Sequence, residues 1–296
     1  MSQNQPQPHS HSAPPIGLKI VRPGTGETTS LFGEQKRILL TSHDTEGSLM
    51  VCDCESPSCS ESPLQVHSLE DQVLFIRSGC YEFHLDGERI EAGPGSVVYC
   101  PRDVPYSFSL IDEEPGHALA FVWPGGSEDY FRRCAHEFAT GAPDFHKVVQ
   151  IGSEFGVHLL RPEGVEAQRA MRSNAQTPCV VAPYQWQIAE VNGTRIHRLL
   201  SLEQVGTSFS LLEVVAPPSS TLLLPTRPKQ SEVFFVHKGR YELELPDTIL
   251  EVTAGTLVYV PESMVSAVRL VGEARGRLLV ASFSGALECL FFSSGS

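Results

Sequence analysis

Short apolar runs, each bounded by turn residues, dominate the pattern of the chain. In the first half each run is flanked by Gly, Pro, Asp or Ser. These runs cover residues 38–41, 48–52, 73–77, 80–85, 96–100 and 118–122. Such runs are typical of strands, and many of them at near-regular spacing predict an all-β sandwich or barrel of antiparallel sheet. The sequence Leu85-Asp86-Gly87-Glu88 between two runs predicts a hairpin.

The second half of the chain repeats the first at an offset of 160 residues. From Gln65 to Phe131 the two copies align without a gap, and strand-like runs recur at 210–214, 233–236, 240–245, 256–260 and 277–280. The matching positions are mostly glycines, prolines and apolar residues. A period of this length is too long for a solenoid unit and indicates two copies of one domain. The polar positions differ between the copies, so function is to be sought there.

The length and net charge of the chain limit the classes of function that it can have. A chain of 296 residues is long enough for two domains, each with its own core. The formal net charge of −13 argues against nucleic acid or an anionic membrane surface as partner, because both select clusters of Lys and Arg. No run approaches the roughly 18 apolar residues of a membrane-spanning helix, and the first residues lack the apolar core of a secretory signal. We therefore expect a cytoplasmic protein without a membrane partner.

The eight cysteines show no paired spacing shared by the two copies. Cys52, Cys54 and Cys59 form the one cluster, and the first two share a face of a predicted strand. No second CxxC or His pair completes a zinc site. Structural or free thiols are therefore favoured, with a metal or redox role as the alternative. Cysteines without a paired spacing also fit a reducing, cytoplasmic compartment.

The pattern also predicts helices and domain limits. Ser127 can cap a helix in which Phe131, Cys134 and Phe138 share one face, and a shorter counterpart lies near the C-terminus. We expect both helices to pack on the outside of the barrels. We assign residues 1–15 to a flexible tail, 16–138 to an N-terminal barrel, 139–185 to a connecting segment and 186–296 to a C-terminal barrel.

The spacing of glycines and prolines in both copies resembles the conserved motifs of the cupin superfamily. Gly79 ends the first motif, and Gly95 and Pro101 begin the second. In cupins these motifs read G-x5-H-x-H-x3,4-E-x6-G and G-x5-P-x-G-x2-H-x3-N. The resemblance covers about residues 45–131 and 205–291, so the chain is similar to bicupins, and most similar in layout to the quercetin-dioxygenase-like and pirin-like groups. It implies two double-stranded β-helix (jelly-roll) barrels with short flanking helices.

The same resemblance implies a metal site of three His and one Glu, a ligand set that suits Fe(II), Mn(II), Ni(II) or Cu(II). The ligand positions fall on Gln65, His67, Gln72 and Tyr106 in the first copy, and on Pro225, Arg227, Glu232 and Ser266 in the second. One family ligand therefore remains in each copy. Gln is a weak ligand, Pro has no side-chain donor and Arg is a permanent cation. We therefore expect no metal and no other cofactor.

Four polar side chains at the ligand positions of the first copy favour a retained pocket. Decay of a metal site would fill it with apolar side chains, because an unpaired buried polar group costs free energy. A satisfied polar core is the alternative. Metal-free epimerases of the superfamily use His and Tyr as base and acid, so by resemblance His67 would accept a proton and Tyr106 would donate one or bind an oxyanion. Gln65 and Gln72 would position the substrate.

Decay to a scaffold is the favoured interpretation of the second copy. Arg227 beside Glu232 would then be an interior ion pair, since an unpaired buried Arg is costly. If this copy were the active one, Arg227, Glu232 and Ser266 would bind substrate.

These observations predict a metal-independent bicupin enzyme of small-molecule metabolism, acting on a secondary, polyketide or phenolic compound. Proton transfer in the N-terminal barrel would support isomerisation, dehydration or cyclisation. Two alternatives stay open: a metal-dependent, quercetinase-like dioxygenase, and a non-catalytic ligand-binding or scaffold bicupin. A small-molecule substrate is the expected partner, and a homodimer is left open.

Overall fold

The computed structural model describes residues 17–139, 143–161, 176–206, 209–224, 230–261, 264–283 and 286–292, most of them in antiparallel strands. The first part contains β1 (Lys19–Val21), β2 (Glu27–Leu31), β3 (Glu34–Leu40), β4 (Met50–Ser56), β5 (Gln65–His67), β6 (Asp71–Ser78), β7 (Tyr81–Leu85), β8 (Glu88–Ala92), β9 (Val97–Cys100), β10 (Tyr106–Leu110), β11 (Gly116–Trp123), α1 (Ser127–Ala139), α2 (Phe145–Glu154) and β12 (Val157–Leu159). A 3-10 turn lies at His43–Thr45.

The second part repeats this order at the same offset of 160 residues. It contains β13 (Cys179–Val181), β14 (Gln187–Val191), β15 (Thr194–Leu200), α3 (Leu202–Val205), β16 (Phe209–Ala216), β17 (Thr221–Leu223), β18 (Glu232–Lys238), β19 (Arg240–Leu245), β20 (Thr248–Thr253), β21 (Leu257–Val260), β22 (Ala267–Val271), β23 (Gly276–Phe283) and α4 (Ala286–Phe291). A 3-10 turn lies at Pro183–Gln185. The all-β prediction and the repeat are confirmed.

Each barrel consists of one large and one small sheet. In the first barrel the orders are β13-β9-β6-β11-β4-β3-β2 and β12-β5-β10-β7-β8. In the second they are β1-β21-β18-β23-β16-β15-β14 and β17-β22-β19-β20. The predicted hairpin joins β7 to β8, with Leu85 opposite Glu88. Asp86 and Gly87 both have positive φ (52° and 81°), as a tight two-residue turn requires.

The two barrels pack against each other through their large sheets. Strand β6 lies between two hydrophobic cores, and this position explains why its sequence is apolar throughout rather than alternating. Leu74 and Ile76 belong to the core inside the first barrel, whereas Val73 and Phe75 belong to the core between the barrels. Successive side chains on a strand point to opposite faces, so a sheet that is covered on both faces needs apolar residues at every position.

The repeats also exchange strands. β1, from the range assigned to the first barrel, pairs with β21 of the second barrel, and its counterpart β13 pairs with β9 of the first. Aromatic side chains fill the core between the barrels, where Trp123 stacks on Phe209 with ring centroids 4.3 Å apart. Helix α2 and strand β12, from the range assigned to the connecting segment, pack on the first barrel, where β12 pairs with β5.

Helix α1 corrects one expectation, because it does not simply lie on the outside of its barrel. Glu128 fixes its start by accepting a hydrogen bond from the backbone of Ser42 at 2.7 Å. Tyr130 and Phe131 are buried in the core of the first barrel and line its interior cavity. Helix α1 therefore closes one side of that cavity.

No helix in the part of the chain that the structure describes is long and apolar enough to cross a membrane.

Candidate functional site

The interior of the first barrel contains a narrow cavity of about 50 Å³. Inward-facing side chains of both sheets line it, together with Tyr130 and Phe131 of α1. All four predicted site residues of this barrel lie on its wall: Gln65, His67, Gln72 and Tyr106. On this measure a single water needs roughly 10–15 Å³, so the cavity as it stands holds a few water-sized groups, and a larger ligand requires movement of the wall.

His67 is the centre of a buried hydrogen-bond network. It ends β5 and is 5% exposed. Its Nδ1 lies 2.8 Å from Glu70 Oε1 and also 2.8 Å from Gln72 Nε2. These two groups compete, because Glu70 needs a proton on Nδ1 and the Gln72 amide needs a lone pair there. The charge-assisted bond to a carboxylate is the stronger one and favours the Nδ1–H tautomer.

The other ring nitrogen of His67 is the one available to a ligand. His67 Nε2 is buried and makes no hydrogen bond with any residue that the structure describes. In the Nδ1–H tautomer this nitrogen carries the lone pair, as a general base requires. A carboxylate behind the opposite nitrogen fixes the orientation of the ring and stabilises the imidazolium that forms when Nε2 takes a proton.

Glu70 and Ser127 belong to this site although sequence analysis did not identify them. Glu70 is 5% exposed and accepts a hydrogen bond from Ser127 Oγ at 2.6 Å. Ser127 begins α1, so the helix start is connected to His67 through one carboxylate. The available signal was the position of Glu70, an acidic residue three places after His67. Glu70 was missed because only the four metal-ligand positions of the motifs were considered.

Tyr106 supplies a protonated hydroxyl beside His67. It begins β10 directly opposite Gln65 of β5, and its ring stacks on the imidazole with centroids 5.7 Å apart. Its hydroxyl donates a hydrogen bond to Gln72 Oε1 at 3.0 Å. Burial raises the pKa of Tyr106 well above its ordinary value, and nearby Cys100 and Glu70 act in the same direction. The phenol therefore keeps its proton and can act as a hydrogen-bond donor or general acid.

Of the four predicted residues of the second barrel, the structure describes Glu232 and Ser266. Glu232 is fully buried on β18. Ser266 is half-buried, and its hydroxyl donates to the backbone oxygen of Glu244 at 3.3 Å. Pro225 and Arg227 lie outside the described residues, so the predicted pairing of Arg227 with Glu232 stays a prediction.

A second polar group lines the first cavity, on the inner faces of β3 and β4. Lys36 Nζ lies 2.9 Å from Glu34 Oε2 and 4.0 Å from Cys54 Sγ. Cys52 Sγ and Cys54 Sγ are 3.5 Å apart. The prediction that these two cysteines share a strand face is confirmed, and both cysteines are reduced. Sequence analysis missed Lys36 and Glu34, because nothing in their local pattern distinguishes them from ordinary surface charges.

Comparisons with known proteins agree with this architecture. Residues 55–122 match the family model described as "Cupin domain". Quercetin 2,3-dioxygenase of Bacillus subtilis (strain 168) is 19% identical over 275 residues, which cover 88% of this chain and 81% of that protein. A Pseudomonas aeruginosa protein described as glyoxylate-induced superposes with a TM-score of 0.65 at 13% identity, covering 94% of this chain and 93% of the other. The chain has the bicupin fold.

Oxalate decarboxylase of Bacillus subtilis, a protein with Mn(II) centres, is another structural neighbour of this bicupin. It superposes with a TM-score of 0.61 at 16% identity, over 90% of this chain and 76% of the other. At these identities the likeness shows the fold. The donor atoms inside the barrels decide whether a metal fits here.

The donors inside the first barrel do not fit such a metal. Among the described residues, no group of three or more His, Cys, Asp or Glu side chains is arranged to hold a metal ion. His67 directs Nδ1 to Glu70, and Gln72 accepts a hydrogen bond from the Tyr106 hydroxyl. His67 Nε2 is left as a single strong donor, which is too few for a stable first-row metal site.

Proposed function

We propose that the first barrel of this bicupin catalyses metal-independent proton transfer on a small, largely apolar molecule that carries a carbonyl or hydroxyl group. The reaction class is isomerisation, dehydration or cyclisation. The observation that carries the proposal is the Glu70–His67 pair beside the protonated Tyr106 on the wall of one cavity.

His67 would remove the proton from the substrate through Nε2. Glu70 would hold the ring and stabilise its charged form, and Ser127 would hold Glu70. A buried carboxylate behind the opposite ring nitrogen would keep this base in the orientation that proton transfer requires.

Tyr106 would donate a hydrogen bond or a proton to the oxygen on which negative charge develops. Its raised pKa keeps it in the donor form. Gln72 accepts a hydrogen bond from the Tyr106 hydroxyl, and its amide nitrogen lies 3.5 Å from Glu70 Oε1, so it would hold the acid beside the carboxylate that orients the base. The half-buried Gln65 is available to a polar group of the substrate.

The apolar part of the wall supports an apolar substrate body. Leu74, Ile76 and Phe83 line the cavity together with Val122 and Phe131. A pocket with few polar groups and a large apolar wall selects its ligand by shape and fixes its orientation through those polar groups. Polyketide-like and phenolic molecules have this character.

Solvent hydrogen exchange tests the proposal without knowledge of the natural substrate. The protein is incubated in D₂O with 4-hydroxyacetophenone or cyclohexanone, and deuterium at the carbon beside the carbonyl is followed by NMR. We expect catalysed exchange that falls at least about tenfold in both His67→Ala and Tyr106→Phe, because acid–base groups typically contribute roughly 10²–10⁴-fold. His146→Ala, on the exposed surface of α2, is the matched control and should retain full activity.

Two outcomes contradict the proposal. Unchanged exchange in both cavity variants would place the chemistry elsewhere. Activity that is lost after dialysis against a chelator, restored by Mn(II) or Fe(II), and accompanied by one metal per chain would instead support the dioxygenase alternative suggested by the relative from Bacillus subtilis.

A further inference from the structure

The second polar group in the first cavity is a thiol pair next to a buried ammonium. Cys52 and Cys54 are 1% and 5% exposed, and both line the cavity. Lys36 lies opposite Cys54 in the β3–β4 register and is held there by Glu34. The Cys54 sulfur therefore has a thiol on one side and a cation on the other.

This environment favours a thiolate on one of the two sulfurs. The hydrogen bond from Cys52 and the charge of Lys36 together lower the pKa of Cys54, against the effect of burial. The pKa of Cys52 is raised well above its ordinary value, first by its contact with Cys54 and then by burial. Cys54 is therefore the nucleophile of the pair, and Cys52 is its hydrogen-bond donor.

There is space in front of Cys54. Its neighbour across the β4–β11 ladder is Ala118, and the neighbour of Cys52 is Ala120. Both alanines line the cavity. A pair of small residues beside a buried thiol keeps open the volume that a ligand needs.

An external groove beside the small sheet adjoins the cavity and shares Phe32, Ser62 and Pro63 with its wall. On the inner side of these residues the sulfur of Cys54 lies in a cavity with a largely apolar wall. A thiolate in a largely apolar cavity selects soft, electrophilic carbon rather than charged reagents.

We propose that Cys54 is a covalent nucleophile of the first barrel and that its ligands are small α,β-unsaturated carbonyl compounds. The thiolate adds to the β-carbon, and the C=C electron pair moves to the carbonyl oxygen. The α-carbon then takes a proton from the Lys36 ammonium. One S–C bond and one C–H bond form, the thiolate and ammonium charges are both lost, and no oxidant or reductant is needed. This goes beyond the acid–base proposal, because it assigns no role to His67 or Tyr106.

The second barrel lacks every element of this cluster. Positions equivalent to Lys36, Cys52 and Cys54 are Ile196, Leu212 and Val214, and all three are buried in the core. The thiol pair is therefore no requirement of the strand framework, which folds with apolar residues at the same places.

Labelling kinetics with methyl vinyl ketone test the proposal. The reduced, folded protein is treated with the probe, and modification of each cysteine is followed by peptide mass spectrometry. We expect Cys54 to react at least about tenfold faster than Cys100, a buried thiol whose pKa burial raises. Lys36→Met should slow Cys54 at least about tenfold and leave the exposed Cys59 unchanged.

A second pair of variants keeps the test decisive if Lys36→Met does not fold. Cys52→Ser retains a hydrogen-bond donor and should preserve the reactivity of Cys54, whereas Cys52→Ala should reduce it severalfold. The proposal is overturned if Cys54 stays unmodified in the folded protein while Cys59 reacts. It is equally overturned if the adduct forms on Cys52, or if neither Lys36→Met nor Cys52→Ala changes the rate at Cys54.

Discussion

The two barrels share one strand framework and differ in what fills it. Inside the first barrel, Ala118 and Ala120 accompany the cysteines and leave a cavity. The equivalent residues of the second barrel are Leu278 and Val280, which are fully or almost fully buried beside Leu212 and Val214. Larger apolar side chains thus occupy in one barrel the positions that small and polar side chains occupy in the other. This difference supports the proposal that ligand binding belongs to the first barrel and that the second has a structural role.

A second contrast lies on the outer faces of β4 and β16. Asp53 contacts Arg37 and, at 2.7 Å, Arg77. At the equivalent positions of the second repeat, Glu213 lies 3.3 Å from His197 and 3.7 Å from His237. The second repeat thus replaces two permanent cations with two titratable ones. It compensates with Arg277, whose Nε and Nη2 donate to Glu213 at 2.7 and 2.9 Å.

Truncating the core of the second barrel should have the largest effect on stability. Leu278→Ala removes a side chain that is fully buried and leaves a void among close-packed neighbours. We expect a loss of about 2–5 kcal/mol in the free energy of unfolding, measured by urea denaturation. The solvent hydrogen exchange assigned to the first barrel should stay unchanged in the folded variant.

The reciprocal change, Ala118→Leu, should also affect activity. The added carbons enter the narrow cavity of the first barrel, so the free energy of unfolding should fall by about 1–3 kcal/mol, the usual cost of overpacking. Exchange activity should fall at least about tenfold because the ligand loses its space. An Ala118→Leu variant with full activity would contradict the distinction between a filled and an open barrel. A Leu278→Ala protein with unchanged stability would contradict it as well.

The Glu213 network should make the second repeat sensitive to acid. Burial alone would raise the pKa of Glu213, but hydrogen bonds from His197 and Arg277, together with the nearby His237, outweigh it and lower the pKa to about 2. A carboxylate with a depressed pKa stabilises the fold above its unfolded pKa of about 4.5, and this contribution is lost as the pH falls towards 2.

Glu213→Gln should therefore cost about 3 kcal/mol at pH 7, since it leaves the cations around a buried site without their counter-ion. The difference from wild type, followed by urea denaturation, should shrink as the pH is lowered from 5 to 3. The control is Glu242→Gln, which removes a partly exposed pair with Arg269 and should cost less than about 1 kcal/mol. Equal losses of unfolding free energy in the two variants at pH 7 would show that the buried network stabilises the fold no more than a partly exposed ion pair does.

Removing the charge behind His67 should have a smaller but diagnostic effect. Glu70→Gln keeps the shape of the side chain and its contact with Ser127 but weakens the hold on Nδ1. We expect the exchange rate to fall about tenfold to a hundredfold with little loss of stability. The matched control is Glu82→Gln, which alters the more exposed contact between Glu82 and His84. Full activity in Glu70→Gln would mean that the carboxylate does not position the base.

Much of the fold could be predicted because local sequence patterns specify it. The apolar runs, the Asp86-Gly87 turn and the constant offset between the copies specify strands, hairpin and duplication. The exchange of β1 and β13 between the barrels could not be predicted, because the pairing of edge strands depends on contacts distant in sequence.

The candidate site was predictable in part for a related reason. The register of the motifs located His67, Gln72 and Tyr106 on one wall, and the structure brings them together. Glu70, Ser127 and Lys36 were missed, since their roles arise from distances across strands and from the helix that closes the barrel. Sequence spacing carries no information about such contacts.

The protonation of His67 tests the central claim most directly. Protein labelled with ¹⁵N in histidine, with His67→Ala to assign the signal, reports the state of each ring nitrogen by NMR at pH 8. The account predicts a proton on Nδ1, a bare lone pair on Nε2, and no change when one equivalent of Zn(II) is added. A proton on Nε2, or a metal-induced shift of the His67 signals at one Zn(II) per chain, would contradict it.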